Sequence, residues 1–326
     1  MSSQARAFFA FVLPAGAPTD ELFCVRGDLE AVAGDAANTC ISSLLSLLRF
    51  TGTNIRTSPI LNIRFQQHFR LSLELTRPFN ILDIGSGAGN SVIPLLELCP
   101  NSFVIAADLS VELLVLLREA LQERGLGHRC GLLQLNVEEL DFEESSFDIV
   151  VGAAVLHHLF ASENTIADCA RVLKKGGHAI FFEPFENGNM ILRIAYEAIL
   201  GDPRSAVLSA DVVKFLRAVI DSFEIRKGRD KNLPIYHNLD DKRLFTPRYF
   251  RELSERCNFL RYIMYPMHST ERQFENQTLS YLRLETGKGR EALPDWAWKT
   301  IQRYDSAFSD DVKSDLLIEG SIIMEK

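Results

Sequence analysis

The sequence predicts an α/β protein: a doubly wound, mostly parallel seven-stranded sheet with helices on both faces, plus an N-terminal extension and helical lid insertions. Three observations carry that class. Short apolar runs alternate with helix-like stretches from about residue 79 to residue 183, the pattern of a parallel sheet covered by crossover helices. The first run, Asn80–Ile84, passes directly into the glycine turn Gly85-Ser86-Gly87-Ala88-Gly89 and then a helix. Finally, 326 residues is long for one domain and short for two large ones, so a single core with additions is expected.

Taken in order, the chain opens with Ala7–Leu13, an apolar run behind the single basic residue Arg6. A secretory signal would need a stronger positive flank and a longer run. A buried hairpin with Glu21–Val25, turning at Pro14–Asp20, suits these residues better. From Gly27 to about Phe79 the pattern is helical: Leu44, Leu45, Leu47 and Leu48 make one stripe, and a second helix covers Ile60 to Leu75. Arg56, Arg64, Phe65 and His68 lie just before the strand that enters the glycine turn, either as the solvated basic face of a helix or as side chains for a ligand held at that turn. The core strands are then Asn80–Ile84, Phe103–Asp108, Cys130–Asn136, Phe147–Gly152 and His178–Glu183, with helices at Val92–Leu98, Val111–Arg124 and Asn164–Leu173. Lys174-Lys175-Gly176-Gly177 reads as a basic last turn followed by a glycine stop. Helices at Asn189–Ile199 and Ser209–Phe223, a charged loop Glu224–Asp241, a Thr246-Pro247-capped helix to Cys257, a strand near Phe259 and a last strand from Glu319 complete the chain.

Composition narrows the function classes. The net charge of −8 argues against nucleic acid as the main partner, because neutralising phosphates takes surplus Lys and Arg. Six scattered cysteines without a C-x-x-C pair suit free thiols in a reducing cytoplasm. There is no run of about 18 apolar residues to span a membrane.

The glycine turn sets the ligand question. A dinucleotide fingerprint has G-x-G-x-x-G, and Asn90 stands where its third glycine belongs. Asp83, two residues before the first glycine, suits a ligand with a cationic ammonium or sulfonium, since opposite charges attract at short range. Asp83–Gly89 resembles motif I of the class I, Rossmann-like S-adenosyl-L-methionine (SAM)-dependent methyltransferases. Val155-Leu156-His157-His158-Leu159 and Arg171–Gly177 resemble the branch of that family that modifies small molecules. The resemblance spans Ile81–Glu183, about a third of the chain.

The resemblance implies SAM as cofactor, with Asp83, Gly85, Ser86, Gly87 and Gly89 around it. Asp108, 19 residues after Gly89, can accept two hydrogen bonds from a ribose diol, and Leu109 lies against adenine. Asn136 reads the adenine amino group, Val137 covers the ring, and Ala153 leaves room for the methionyl part. His157 and His158 are candidate general bases because histidine titrates near neutral pH; Glu183 is a further candidate. A His–His pair packed beside the cofactor without moving a proton fits the same residues, and in-line methyl transfer gains much of its rate from proximity alone. No Asn-Pro-Pro-Tyr box follows the fourth strand and no carboxylate there starts a metal site, so no metal is expected.

The division expected is an N-terminal hairpin and helical cap at 1–78, a SAM-binding core at 79–188, a helical lid at 189–243, and a C-terminal core part at 244–326 with a helical insertion near 273–317. Trp296, Trp298, Tyr304 and Phe308 lie in that insertion, either stacking on an acceptor or gluing added helices to the core. Met264, Met267 and His268 point the same way. The expected function is methyl transfer from SAM to a small-molecule acceptor, with O-methylation favoured; the alternative is a protein or RNA methyltransferase or a non-catalytic SAM-binding module. The expected location is the cytoplasm, and a homodimer stays open.

Overall fold

The structure, a computed structural model, describes residues 76–267 and 269–326. The expected N-terminal hairpin and helices, with Arg56, Arg64, Phe65 and His68, lie outside the described residues, as does His268. Seven strands form one sheet: β1 (Asn80–Ile84), β2 (Phe103–Asp108), β3 (Cys130–Gln134), β4 (Phe147–Ala153), β5 (Leu173–Pro184), β6 (Arg261–Pro266) and β7 (Glu319–Glu325), in the order β3-β2-β1-β4-β5-β7-β6. β2 and β4 flank β1 in parallel, β3 runs parallel to β2, and β6 is antiparallel to β7. The order reverses between β1 and β4, the switch point at whose carboxyl ends such sheets bind ligands.

The described residues fall into two compact units, 76–153 with 164–179 and 326, and 154–163 with 180–325. In the first, Ile81, Leu82 and Ile84 of β1 are fully buried. Helix α1 (Val92–Leu98) buries Val92, Ile93, Leu95 and Leu96, and Pro94 sits in its first turn, where a missing N–H costs little. Each fully buried aliphatic side chain contributes about 1.5–3 kcal/mol relative to exposure. Helix α2 (Val111–Glu123) buries Leu114, Leu117 and Leu121 and is capped by Ser110, whose hydroxyl accepts from the Leu113 N–H at 3.2 Å. Helix α3 (Ser162–Val172) then leads into β5.

The second unit adds α4 (Glu186–Gly201), α5 (Ala210–Arg226), α6 (Pro247–Arg256), α7 (Gln273–Thr286), α8 (Asp295–Ala307) and α9 (Asp310–Asp315). Thr246 caps α6 by accepting from the Tyr249 N–H at 3.2 Å, as the Thr-Pro pair predicts. Tyr196, Phe215, Phe274, Trp298 and Ile301 form one buried cluster among α4, α5, α7 and α8. The aromatics of the 273–317 stretch therefore serve as a core for these helices: Trp298 is 1% exposed and its Nε1 donates to the Arg290 carbonyl at 2.8 Å. No helix among the described residues is long and apolar enough to cross a membrane.

Two expectations about the elements need correction. Lys174–Gly177 does not close a helix; α3 ends at Val172 and these residues belong to β5. Their polar groups find partners there. Gly176 N–H donates to the Lys326 carbonyl at 2.6 Å, Lys326 N–H donates to the Gly177 carbonyl at 2.9 Å, and Lys174 Nζ meets Asp148 Oδ2 at 2.8 Å. Gly176 still needs its glycine, with φ at +75°. β3 stops at Gln134 rather than Asn136, because Asn136 Oδ1 turns back to accept from the Glu138 N–H at 3.1 Å.

Candidate active site

In the first unit the site grows from β1. Asp83 sits between Ala106 of β2 and Val151 of β4 in the ladder, so its side chain is fully buried. Among the described residues, neither of its carboxylate oxygens has a hydrogen-bond partner. Burial pushes its pKa up to about 7; the Ser91 hydroxyl opposes the rise, lying close by without reaching hydrogen-bond geometry, and the negative charge of Asp108 adds to it. An orphaned acid in this state calls for a cationic partner.

Gly85, Gly87 and Gly89 all take positive φ, at 65°, 52° and 97°. At Gly89 the φ of 97° is what favours glycine, and a Cβ there would also push Leu117 Cδ1 aside. Among the described residues a Cβ at Gly87 would meet nothing within 4 Å, so none of them blocks a ligand from approaching the backbone there. The turn is held by Ser86 N–H to Ala107 O and Gly89 N–H to Ser86 O, both 3.0 Å. Asp108, at the end of β2, accepts from Gly87 N–H through Oδ2 and from Ser110 N–H through Oδ1, each at 2.8 Å. Each carboxylate oxygen keeps acceptor capacity for a further donor. Leu109 beside it is 50% exposed. Asn136 is exposed, Val137 is buried, and Ala153 ends β4 half-buried.

In the second unit the chain begins at Ala154, a non-glycine residue at φ +56° whose N–H donates to the Phe182 carbonyl at 2.9 Å. Such a conformation costs on the order of 1 kcal/mol and is kept where the surroundings demand it. It throws Leu156–His158 into a single helical turn over Glu183. Glu183, 1% exposed, accepts from the N–H groups of Val155, Leu156 and His157 at 3.1, 2.7 and 3.3 Å. It also meets His157 Nδ1 at 2.6 Å. The other His157 nitrogen, Nε2, lies 3.3 Å from Asp241 Oδ1. Burial alone would lower the His157 pKa; the charge of Glu183 and hydrogen bonds to Asp241 and Glu183 outweigh it and lift it to about 9. His157 is therefore an imidazolium near neutral pH. Asp241 answers in the other direction: burial raises its pKa, and His157, Arg226 and His158 more than reverse that, leaving it well below the carboxylate range.

His158 differs. Its Nδ1 lies 3.3 Å from Asp240 Oδ1 and 3.1 Å from the Asp240 carbonyl, and its side chain is about one-third exposed. The two rings tilt against each other with centroids 4.0 Å apart. Ligand atoms of His157, His158 and Asp241 all fall within 4.8 Å of one another.

The methyltransferase-domain family model matches residues 82–181, from β1 into β5. The chain carries a class I methyltransferase domain. It is 29% identical over 136 residues to the ubiquinone/menaquinone biosynthesis C-methyltransferase UbiE of Ectopseudomonas mendocina, covering 41% of this chain and 53% of that one. It is 31% identical over 137 residues to the protein of the same name from Stutzerimonas stutzeri, covering 41% and 54%. The matched region thus spans about half the length of these curated relatives. Among solved structures, it resembles Haemonchus contortus phosphoethanolamine N-methyltransferase 2 in complex with phosphomonomethylethanolamine and S-adenosylhomocysteine, at a TM-score of 0.53 and 14% identity over 90% of this chain and 59% of that one. A structure described as a sarcosine dimethylglycine methyltransferase from Galdieria sulphuraria gives 0.50 and 14% over 81% and 84%. Both likenesses concern the fold.

Within the methyltransferase domain, the structure gathers Asp83, the glycine turn and Asp108 at the carboxyl ends of β1 and β2. Val137 is buried beyond β3, while Asn136 spends its side-chain oxygen on its own turn. Sequence reasoning missed Asp240 and Asp241, which it left in a charged loop, and so missed the partners that set the state of both histidines. Two adjacent acids ahead of Lys242 and Arg243 were the available signal, but nothing in sequence spacing links residue 157 to residue 241.

Proposed function

We propose that this chain transfers the methyl group of SAM to a small-molecule acceptor by in-line displacement. The observation that carries the proposal is the buried, unpartnered Asp83 carboxylate beside an open glycine turn. That pairing fits a ligand with a cationic amino-acid end far better than a pyrophosphate, which a buried acid would repel. The chemistry SAM supplies there is a methyl group on a cationic sulfur. Asp83 holds the ammonium; Gly85, Ser86, Gly87 and Gly89 give close backbone approach; Asp108 takes the ribose diol with the acceptor capacity its two backbone bonds leave. Leu109, Asn136 and Val137 serve the adenine, and Ala153 leaves space at the end of β4.

For the proton, we assign His158 as the candidate base: Asp240 holds its Nδ1, and the ring is partly exposed. His157, already protonated and bonded at both nitrogens, is read as a positioning residue, and Glu183, saturated by three N–H groups and an imidazole, as its anchor. An oriented base suits an acceptor whose carbon or oxygen becomes nucleophilic on losing a proton. The curated relatives are named for C-methylation, so carbon stands beside oxygen as the acceptor atom. Calorimetry with S-adenosylhomocysteine tests the cofactor half of the proposal. Binding is expected, and Asp108→Ala should weaken it by about 1–3 kcal/mol through lost hydrogen bonds and a loosened Gly87. Tight NAD binding without S-adenosylhomocysteine binding would overturn it.

A further inference from the structure

The second unit brings three cations, Arg226, Lys231 and Arg243, close together. Arg226 closes α5, Lys231 follows in the next loop, and Arg243 precedes Phe245. Arg226 Nη2 is 3.4 Å from Asp241 Oδ2, but that carboxylate is shared with His157. Arg243 Nη1 stands 3.7 Å from Glu163, a long pair. The Nε–H groups of both arginines are buried with no hydrogen-bond partner among the described residues, and the Arg243 side chain is nine-tenths buried. Buried donors are seldom left unpaired, and each such group in a folded protein asks for an explanation.

Lys231 gives the cluster its mouth. It is half-buried; its Nζ donates to the Arg226 carbonyl at 2.9 Å and lies over the Tyr236 ring at 4.3 Å, so the ammonium is fixed with further N–H groups to offer. Burial, Arg243 and Arg226 depress its pKa to about 8, against the opposing charge of Glu186. Three cations driven together at the cost of one another's charge are stabilised by an anion. Planar guanidinium donors beside an ammonium match the oxygens of phosphate or carboxylate.

We infer that Arg226, Lys231 and Arg243 form, within the second unit, an oxyanion site that takes the phosphate or carboxylate group of a small molecule. The experiment titrates the full chain with inorganic phosphate, and in a parallel arm with acetate, by calorimetry at pH 8 in two buffers of different ionisation heat. S-adenosylhomocysteine is titrated separately into the same samples.

Saturable binding with net proton uptake is expected, because an anion beside Lys231 raises its pKa. Lys231→Gln should weaken that binding at least tenfold and abolish the uptake, while Lys231→Arg retains the binding. S-adenosylhomocysteine affinity should stay within twofold in both variants. Tighter binding of phosphate or of acetate names the group. Absence of saturable anion binding in the unaltered chain, or equal binding in Lys231→Gln, would sink the inference. Anion binding without any S-adenosylhomocysteine binding would keep the oxyanion site and overturn the methyl-transfer reading instead.

Discussion

His157 Nδ1 and Glu183 Oε2 stand 2.6 Å apart with both side chains out of solvent. The pair welds the turn after β4 to the end of β5, since the same carboxylate collects the N–H groups of Val155, Leu156 and His157. Removing one partner of a buried pair strands the other's charge, so Glu183→Gln should destabilise the fold by about 3–5 kcal/mol. The pH dependence has a definite sign. The folded pKa of about 9 exceeds the ordinary 6.5, so this stabilisation is complete below about pH 6.5 and disappears as pH rises through 9. Thermal unfolding between pH 6 and 10 should show that decline in the unaltered chain and not in His157→Gln. A parallel decline in both would remove the imidazolium from the account.

Asp83 works against stability, and under the proposed function it serves binding. Its folded pKa of about 7 lies above the ordinary 3.8, so folding without ligand grows less favourable as pH climbs from 4 to 7 and stays penalised above. Asp83→Asn should therefore raise the stability of the unliganded protein at pH 8 by about 1–3 kcal/mol, while leaving it little changed at pH 4. The same substitution should remove most S-adenosylhomocysteine affinity. A variant that is more stable and still binds normally would detach Asp83 from the ligand.

The legible and illegible parts of this chain divide on physical grounds. β1, its glycine turn and Asp108 could be read because apolar runs, glycines at forced dihedrals and a strand-end acid are local signals. Thr246 and Ser110 showed themselves as caps for the same reason. The Lys174–Gly177 stretch misled because a basic, glycine-rich end suits a helix stop as well as a strand; Lys326, 150 residues on, decides between them. The protonation of His157 was equally hidden, since it depends on Asp241 arriving from a distant loop. Charge states are tertiary facts.

Chelation should leave methyl transfer intact. His157, His158 and Asp241 lie close enough to share an ion, yet a metal ligand must be a neutral imidazole. His157 carries its proton up to about pH 9, and both of its nitrogens already meet carboxylates. Turnover should thus be unchanged after EDTA treatment and unaffected by added zinc or magnesium at pH 7.5. Activity that vanishes with EDTA and returns with one of these ions would show that the ion displaces the His157 proton.

Trp298 tests what holds the helices of the second unit together. It is 1% exposed within the cluster of Tyr196, Phe215, Phe274 and Ile301. The Arg290 guanidinium lies 4.6 Å over its ring, and the indole N–H donates to the Arg290 carbonyl. Trp298→Ala removes a large buried side chain and leaves a cavity, which should cost about 3–5 kcal/mol. Trp298→Phe, which keeps most of the volume but loses the indole donor, should recover more than half of that.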